Sequence, residues 1–315
     1  DAVASEALAR AVFGGKSRYG SPVDGDGRSL AALSVSDLKA FHASHFRPGN
    51  ATLIVVGQVD RSVQTLLETH LGTWARGGEP PPPPPPSPQV KGRAVWLVDI
   101  PGAAQSALRL ARVGPARTIP DYYPTLVMNT LLGGSFTSRL NDNLREQKGW
   151  AYGAGSDFTF RKTDGLFVAQ ADVQTSATAG AVSETLKELA RIRTPAEARE
   201  VERARSYLAL SYARNFDTSQ KLAAHLGEMV LLGLSERVFA DFVPEVLKVS
   251  GESVRDAASR YIDPANIAVV VVGDRKAVEG PLRASGLSPT RTLSVDDVMG
   301  PPPQLRAARG RPPSP

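Results

Sequence analysis

Apolar residues along this 315-residue chain recur in two ways: as short alternating or continuous runs, read as strands, and as stripes spaced three to four apart, read as helices. In the middle of the chain, Ala94 to Ile100 and Gln105 to Ala111 read as strands, and Tyr122 to Leu132 reads as a helix stopped by Gly133-Gly134. Ser138 to Lys148 is expected to be helical. The strands Ala151 to Arg161 and Gly165 to Val173 follow, joined through Lys162-Thr163-Asp164-Gly165 as a hairpin. Thr175 to Arg191 predicts an amphipathic helix. Thr194-Pro195-Ala196-Glu197 reads as a capping box that opens a further helix reaching about Arg214. At the amino end, Val3 to Phe13 also has a helical pattern.

One pattern occurs twice. Residues 46–57 read FRPGNATLIVVG and residues 262–273 read IDPANIAVVVVG; Pro48 matches Pro264, Asn50 matches Asn266 and Gly57 matches Gly273, each pair 216 positions apart. Each copy predicts a helix, a Pro-x-Asn turn and a buried strand. The first helix has a Ser34–Asp37 capping box and a stripe of Leu38, Phe41 and Phe46; the second starts near Ser250 and carries Val254, Ala258 and Tyr261. The strands are Leu53 to Val56 and Ala268 to Val272, whose continuous apolar character suggests burial on both faces. The second copy lies about 175 residues beyond a proline run, whereas about sixty residues precede the end of the first. The first unit is therefore expected to be about half present, with a hundred or more of its residues upstream.

This gives an α+β chain of two homologous mixed α/β domains, the first incomplete. The expected organisation is residues 1–76 for the carboxyl-terminal half of the first domain and 77–92 for a linker. The second domain is placed at 93–290, and 291–315 is read as a disordered Pro/Arg-rich tail. The linker holds seven consecutive prolines, Pro80 to Pro86, which favour a semi-rigid polyproline II spacer over a ligand for a proline-reading module.

Composition narrows the function classes. There is no cysteine, so disulfides and thiolate metal sites are excluded and neither a reducing nor an oxidising compartment, cytoplasm or periplasm, is selected. The longest apolar runs are far shorter than the ~20 residues of a membrane span, and the first residues lack the basic start and apolar core of a signal peptide. Net charge is +5; removing Arg306, Arg309 and Arg311 of the tail leaves +2. With no basic stripe carrying interleaved aromatics, nucleic-acid binding is not expected.

The stretch Gly133 to Gly153, GGSFTSRLNDNLREQKGWAYG, resembles the second-domain signature of pitrilysin/insulinase-type zinc metallopeptidases, the family that includes the mitochondrial processing peptidases. AVFGGKSRYGSPVDG (11–25) and FHASHFRPGNATLIVVGQVD (41–60) resemble the closing part of that family's first domain, and Gln105 also fits. The resemblance implies peptide hydrolysis with one zinc ion, held by two His of an HxxEH helix and a distant Glu, the motif Glu acting as general base. That motif is absent. His42 and His45 form only HxxH, His70 and His225 stand alone, and Glu6 is expected to be an exposed helix position, not the distant ligand. No catalytic residue and no metal ligand are expected in this chain; zinc is expected on residues outside it. By resemblance, Arg145 and Tyr152 are the pair that reaches across a chamber to hydrogen-bond a bound peptide backbone. The alternative on the residues alone is that Arg145 pairs with Glu146 or Asp142 on a solvated helix and Tyr152 packs in the sheet; the presence of both inside the longer motif favours the substrate-binding role. Phe136 and Trp150 are candidates to line the chamber, but core packing is the default expectation for both. Gly133-Gly134 lies in no phosphate-binding pattern.

The resemblance thus implies a peptide-clamping part of an endopeptidase, inactive alone, working with an HxxEH-bearing half in a dimeric or tandem clam-like assembly. The alternative is a non-catalytic partner or scaffold subunit. An exposed strand edge in the second domain that adds an extended peptide is a third possibility.

Overall fold

The computed structural model describes residues 1–15, 17–74, 77 and 85–301. Four helices come from the amino-terminal part: α1 (Ala2–Phe13), α2 (Gly27–Ala32), α3 (Val35–His45) and α4 (Arg61–Leu71). The rest forms a six-stranded mixed sheet: β1 (Arg93–Asp99), β2 (Gln105–Gly114), β3 (Ala151–Thr159), β4 (Gly165–Gln174), β5 (Ile267–Gly273) and β6 (Arg291–Ser294). The strands lie in the order β3-β4-β2-β5-β1-β6. The associated helices are α5 (Tyr122–Leu132), α6 (Arg139–Asn141, continuing as a π turn over Asp142–Gln147), α7 (Thr178–Arg191) and α8 (Ala198–Ser211). They are followed by α9 (Ser219–Leu232), α10 (Arg237–Lys248), α11 (Gly251–Tyr261), α12 (Arg275–Ala284) and α13 (Val295–Met299).

Strand β5 shows why its run is entirely apolar. It is parallel to β1 on one edge and antiparallel to β2 on the other, and both of its faces are covered. Ile267, Val269 and Val271 join Leu97, Leu108, Leu110 and Phe167 beneath the helices α5, α7, α11 and α12. Ala268, Val270 and Val272 meet Ala4, Ala7, Leu8 and Val12 of α1 and Val298 of α13. The two-residue period of a strand divides one sequence between two cores. Each fully buried Leu or Val contributes about 1.5–3 kcal/mol relative to exposure.

The other copy of the repeat behaves differently. Its helix forms with the expected capping box, Asp37 N–H donating to Ser34 Oγ and Ser34 N–H to Asp37 Oδ2. Residues 53–56 are not a strand, which corrects the expectation, and Leu53 is 58% exposed. Leu38, Phe41 and Phe46 are exposed as well, while Val254 and Ala258 in the second copy are buried. A strand needs a neighbour for its N–H and C=O groups. β5 has two; among the described residues no strand pairs with 53–56. Ile54 instead approaches α9, where a Cβ added to Gly227 would lie 3.8 Å from Ile54 Cδ1.

Other boundaries shift for local reasons. Thr194 does not cap α8, because its hydroxyl donates to Arg191 O at 2.7 Å and so closes the preceding helix. Glu197 is the cap, paired reciprocally with Glu200, and α8 ends at Ser211 before a 3₁₀ turn. The Ser138–Lys148 helix is split by its π turn. Residues 291–299, expected to be tail, form β6 on β1 and then α13, whose Val298 is buried; 302–315 lie outside the described residues. Most of the proline run also lies outside them. The end of the linker is docked: Gln89 Nε2 donates to Val113 O at 2.8 Å, Ser87 N–H donates to Asp164, and Val90 is buried.

Candidate substrate cleft

Helix α5 ends where Gly133 meets the outer side of β3. A Cβ at Gly133 would overlap Ser156 N and stand 2.6 Å from Gly155 C, so only glycine brings the loop this close. Asn129, on the last turn of α5, donates Nδ2 to Ser156 O at 3.1 Å and accepts from Ser156 Oγ at 2.7 Å. Beyond the loop, Asn141 donates Nδ2 to Phe136 O at 2.7 Å and accepts from Ala154 N at 3.2 Å. The π turn carries Arg145 and closes at Gly149, whose φ of +64° lets the chain turn into β3. Such turns within helices recur at functional sites.

Tyr152 lies in an irregularity of the β3–β4 register between Ala151 and Ala154, and it is 89% exposed. It does not pack in the sheet. Phe136 is 69% exposed, and the Arg145 guanidinium lies 4.4 Å above its ring. Arg145 Nη1 is 3.1 Å from Glu146 Oε1, whereas Asp142 accepts from Gln147 Nε2 at 2.6 Å. Phe136, Tyr152, Gly155, Gln170 and Tyr207 line a cleft of about 650 Å³. Arg145 stands behind Phe136, its side chain 34% exposed. Trp150 packs against the core, facing Gly180 on α7.

Behind Phe136 a second cleft of about 480 Å³ is lined by charges that largely neutralise one another. Its centre is Arg139, which donates from Nε and Nη2 to Glu200 at 2.9 and 2.7 Å. The Arg139 fork holds the Glu200 carboxyl below the usual carboxylate range. A depressed carboxyl contributes stability above its unfolded-state value, ordinarily 4.5, and loses it as pH falls through the folded-state value. Arg139→Ala is expected to cost about 1–3 kcal/mol, because the partly covered Glu200 carboxyl then keeps only the Glu197 N–H as a hydrogen-bond partner. Urea unfolding of wild type and of Glu200→Gln between pH 7 and 3 checks the pair: below pH 4.5 the variant should lose less stability.

The histidines do not converge on a metal. His45 stacks on Phe41 at 4.2 Å and His42 on Phe46 at 4.8 Å, so the two rings are committed to different neighbours. His225 lies 3.8 Å from Glu228 and against Phe216. Glu6 is not the exposed position expected; its side chain is 10% exposed and accepts from Arg10 Nε at 2.8 Å. Among the described residues no group of three or more His, Cys, Asp or Glu is placed to hold a metal ion, and no helix is long and apolar enough to cross a membrane. The buried Asn129 and Asn141, which build the site, carried no signal in the sequence beyond lying inside the Gly133 to Gly153 motif.

Comparison with known proteins agrees with this architecture. An uncharacterized zinc protease of Mycobacterium bovis is 30% identical over 154 residues, 48% of this chain and 35% of the relative. A Bacillus subtilis uncharacterized zinc protease is 23% identical over 261 residues, 82% of this chain and 62% of the relative. The chain thus spans about a third of the mycobacterial relative's length. The crystal structure of a peptidase M16 inactive domain from Pseudomonas fluorescens superposes with a TM-score of 0.79 at 25% identity, covering 86% of this chain and 65% of that one. The model of the peptidase M16 inactive domain matches residues 32–208. By that match, over more than half of its length, the chain belongs to the peptidase M16 family through its inactive domain.

Proposed function

We propose that this chain is the substrate-holding part of a zinc endopeptidase acting on unfolded peptides, with the metal and the general base on an HxxEH-bearing half outside it. The observation that carries this reading is the cleft at Phe136 and Tyr152. A phenol stands nearly free on a rigid strand, and a guanidinium lies one aromatic ring behind it. Both donate hydrogen bonds, so together they suit successive carbonyl oxygens of an extended peptide. The described residues do not fit zinc, so the metal in the relatives' names is assigned to the other half. The exposed apolar residues Leu38, Phe41, Phe46 and Leu53 support a missing complement, since covering large apolar side chains that face water is favourable. The assembled enzyme would be a dimeric or tandem clam enclosing a chamber.

Elemental analysis after dialysis against micromolar zinc tests the division of labour. The expected ratio is near zero for this chain, with peptide cleavage appearing once an HxxEH-bearing half is added. A ratio near one would overturn it. The scaffold reading is favoured by one observation, the Arg145–Glu146 pair, which occupies the guanidinium internally.

A further inference from the structure

We propose that Asn141 is a positioning residue that holds the Phe136 loop, the Arg145 turn and the Tyr152 strand in one geometry, and that it closes the edge of β3 to strand addition. The functional part rests on the peptide-holding reading of Arg145 and Tyr152; the edge closure does not. β3 is the outermost strand, bonded to β4 alone. Such an edge ordinarily offers free N–H and C=O groups to another chain. Here the Ala154 N–H is taken by Asn141 Oδ1, the Ser156 C=O by Asn129 Nδ2, and Gly133 sits against the backbone at 155 and 156. A peptide lying along β3 as a further strand would have to displace all three.

Asn141 is 4% exposed and uses both ends of its amide. One end fixes Phe136, whose ring underlies Arg145. The other fixes Ala154, the first residue after the irregularity that projects Tyr152. A register irregularity of this kind re-aims a side chain, and anchoring its far side sets that aim. Asn141 itself begins the widening of α6 into the Arg145 turn. The bound peptide therefore crosses over Tyr152 and does not extend the sheet at β3.

Two measurements test this. Hydrogen exchange of the Ala154 amide should be slow in the wild-type chain and at least tenfold faster in Asn141→Ala. Asn141→Asp keeps the acceptor but loses the donor to Phe136, so it should retain protection at Ala154. An unprotected Ala154 in wild type, or equal exchange in Asn141→Ala, overturns the edge closure. Binding of fluorescein-labelled unfolded casein, read by anisotropy on the complemented enzyme, tests the positioning role. Asn141→Ala and Asn141→Asp should each weaken it about tenfold, and neither should weaken it further in an Arg145→Ala background. If Arg145→Ala weakens binding and the Asn141 variants do not, the positioning role is overturned. If Arg145→Ala and Tyr152→Phe both leave binding unchanged, the peptide-holding reading fails and the positioning role with it, while the exchange result still decides the edge.

Discussion

Replacing Arg145 with alanine is expected to lower kcat/KM of the complemented peptidase by about 10²- to 10³-fold, the loss seen when a donor to a developing oxyanion is removed. The guanidinium is a charge-assisted donor, and such bonds are about twice as strong as neutral ones. It is already held near the cleft by the Phe136 face, so little side-chain freedom is lost on binding. On the proposed reading, a bond to substrate would replace the ion pair with Glu146, a partly exposed pair worth ~0–1 kcal/mol. That exchange is small beside the loss expected from the variant. Arg145→Lys keeps the charge without the fork and should fall between the two. Because Arg145 is one-third exposed and outside the core, the alanine variant should unfold at nearly the wild-type urea concentration. Steady-state kinetics with a fluorogenic peptide decide the matter: an unchanged kcat/KM would move the chain to the scaffold reading.

The largest structural loss is expected from Gly133→Ala, which should destabilise the chain by about 3 kcal/mol or more, at or above the top of the usual overpacking range. The added methyl meets backbone, Ser156 N and Gly155 C, and backbone cannot rotate away as a side chain can. Relief requires either β3 to part from β4 or α5 to withdraw. Both would break the Asn129 bonds to Ser156. Gly153→Ala is the control on the same strand. Its Cβ would meet only Asn141 Oδ1, at 3.9 Å, so a change within ~0.5 kcal/mol is expected. Urea unfolding followed by circular dichroism separates the two; a Gly133→Ala midpoint equal to that of Gly153→Ala would mean that the loop yields more easily than its packing suggests.

Much of the fold was legible in the sequence where the signal is local. Helix α5 runs from Tyr122 to Leu132 as its periodicity and the following glycines require, and the β3–β4 hairpin joins at its turn residues. The unbroken apolar run of β5 announced burial on both faces. The missing HxxEH motif and the scattered histidines were likewise plain from residue identities. The family resemblance rested on the Gly133 to Gly153 run, which also supplied Arg145 and Tyr152.

What only the tertiary structure decided depends on which partner is near. The two copies of the helix–turn–strand repeat have the same pattern, yet Ile267–Gly273 is a central strand while 53–56 pairs with no described strand. An apolar run states that a segment is suited to burial; hydrogen bonds from neighbouring strands decide whether it becomes one. Likewise α1 has an ordinary amphipathic pattern, and nothing in it announced that it would cover the second face of the sheet at Val270. Residues 291–299 sit beside proline-rich sequence but gain order from β1, a strand about 200 residues earlier. Asn129 and Asn141 are the clearest case. Their type says only that they form hydrogen bonds, and the close approach of β3 permitted by Gly133 makes them the residues that seal its edge and frame the cleft.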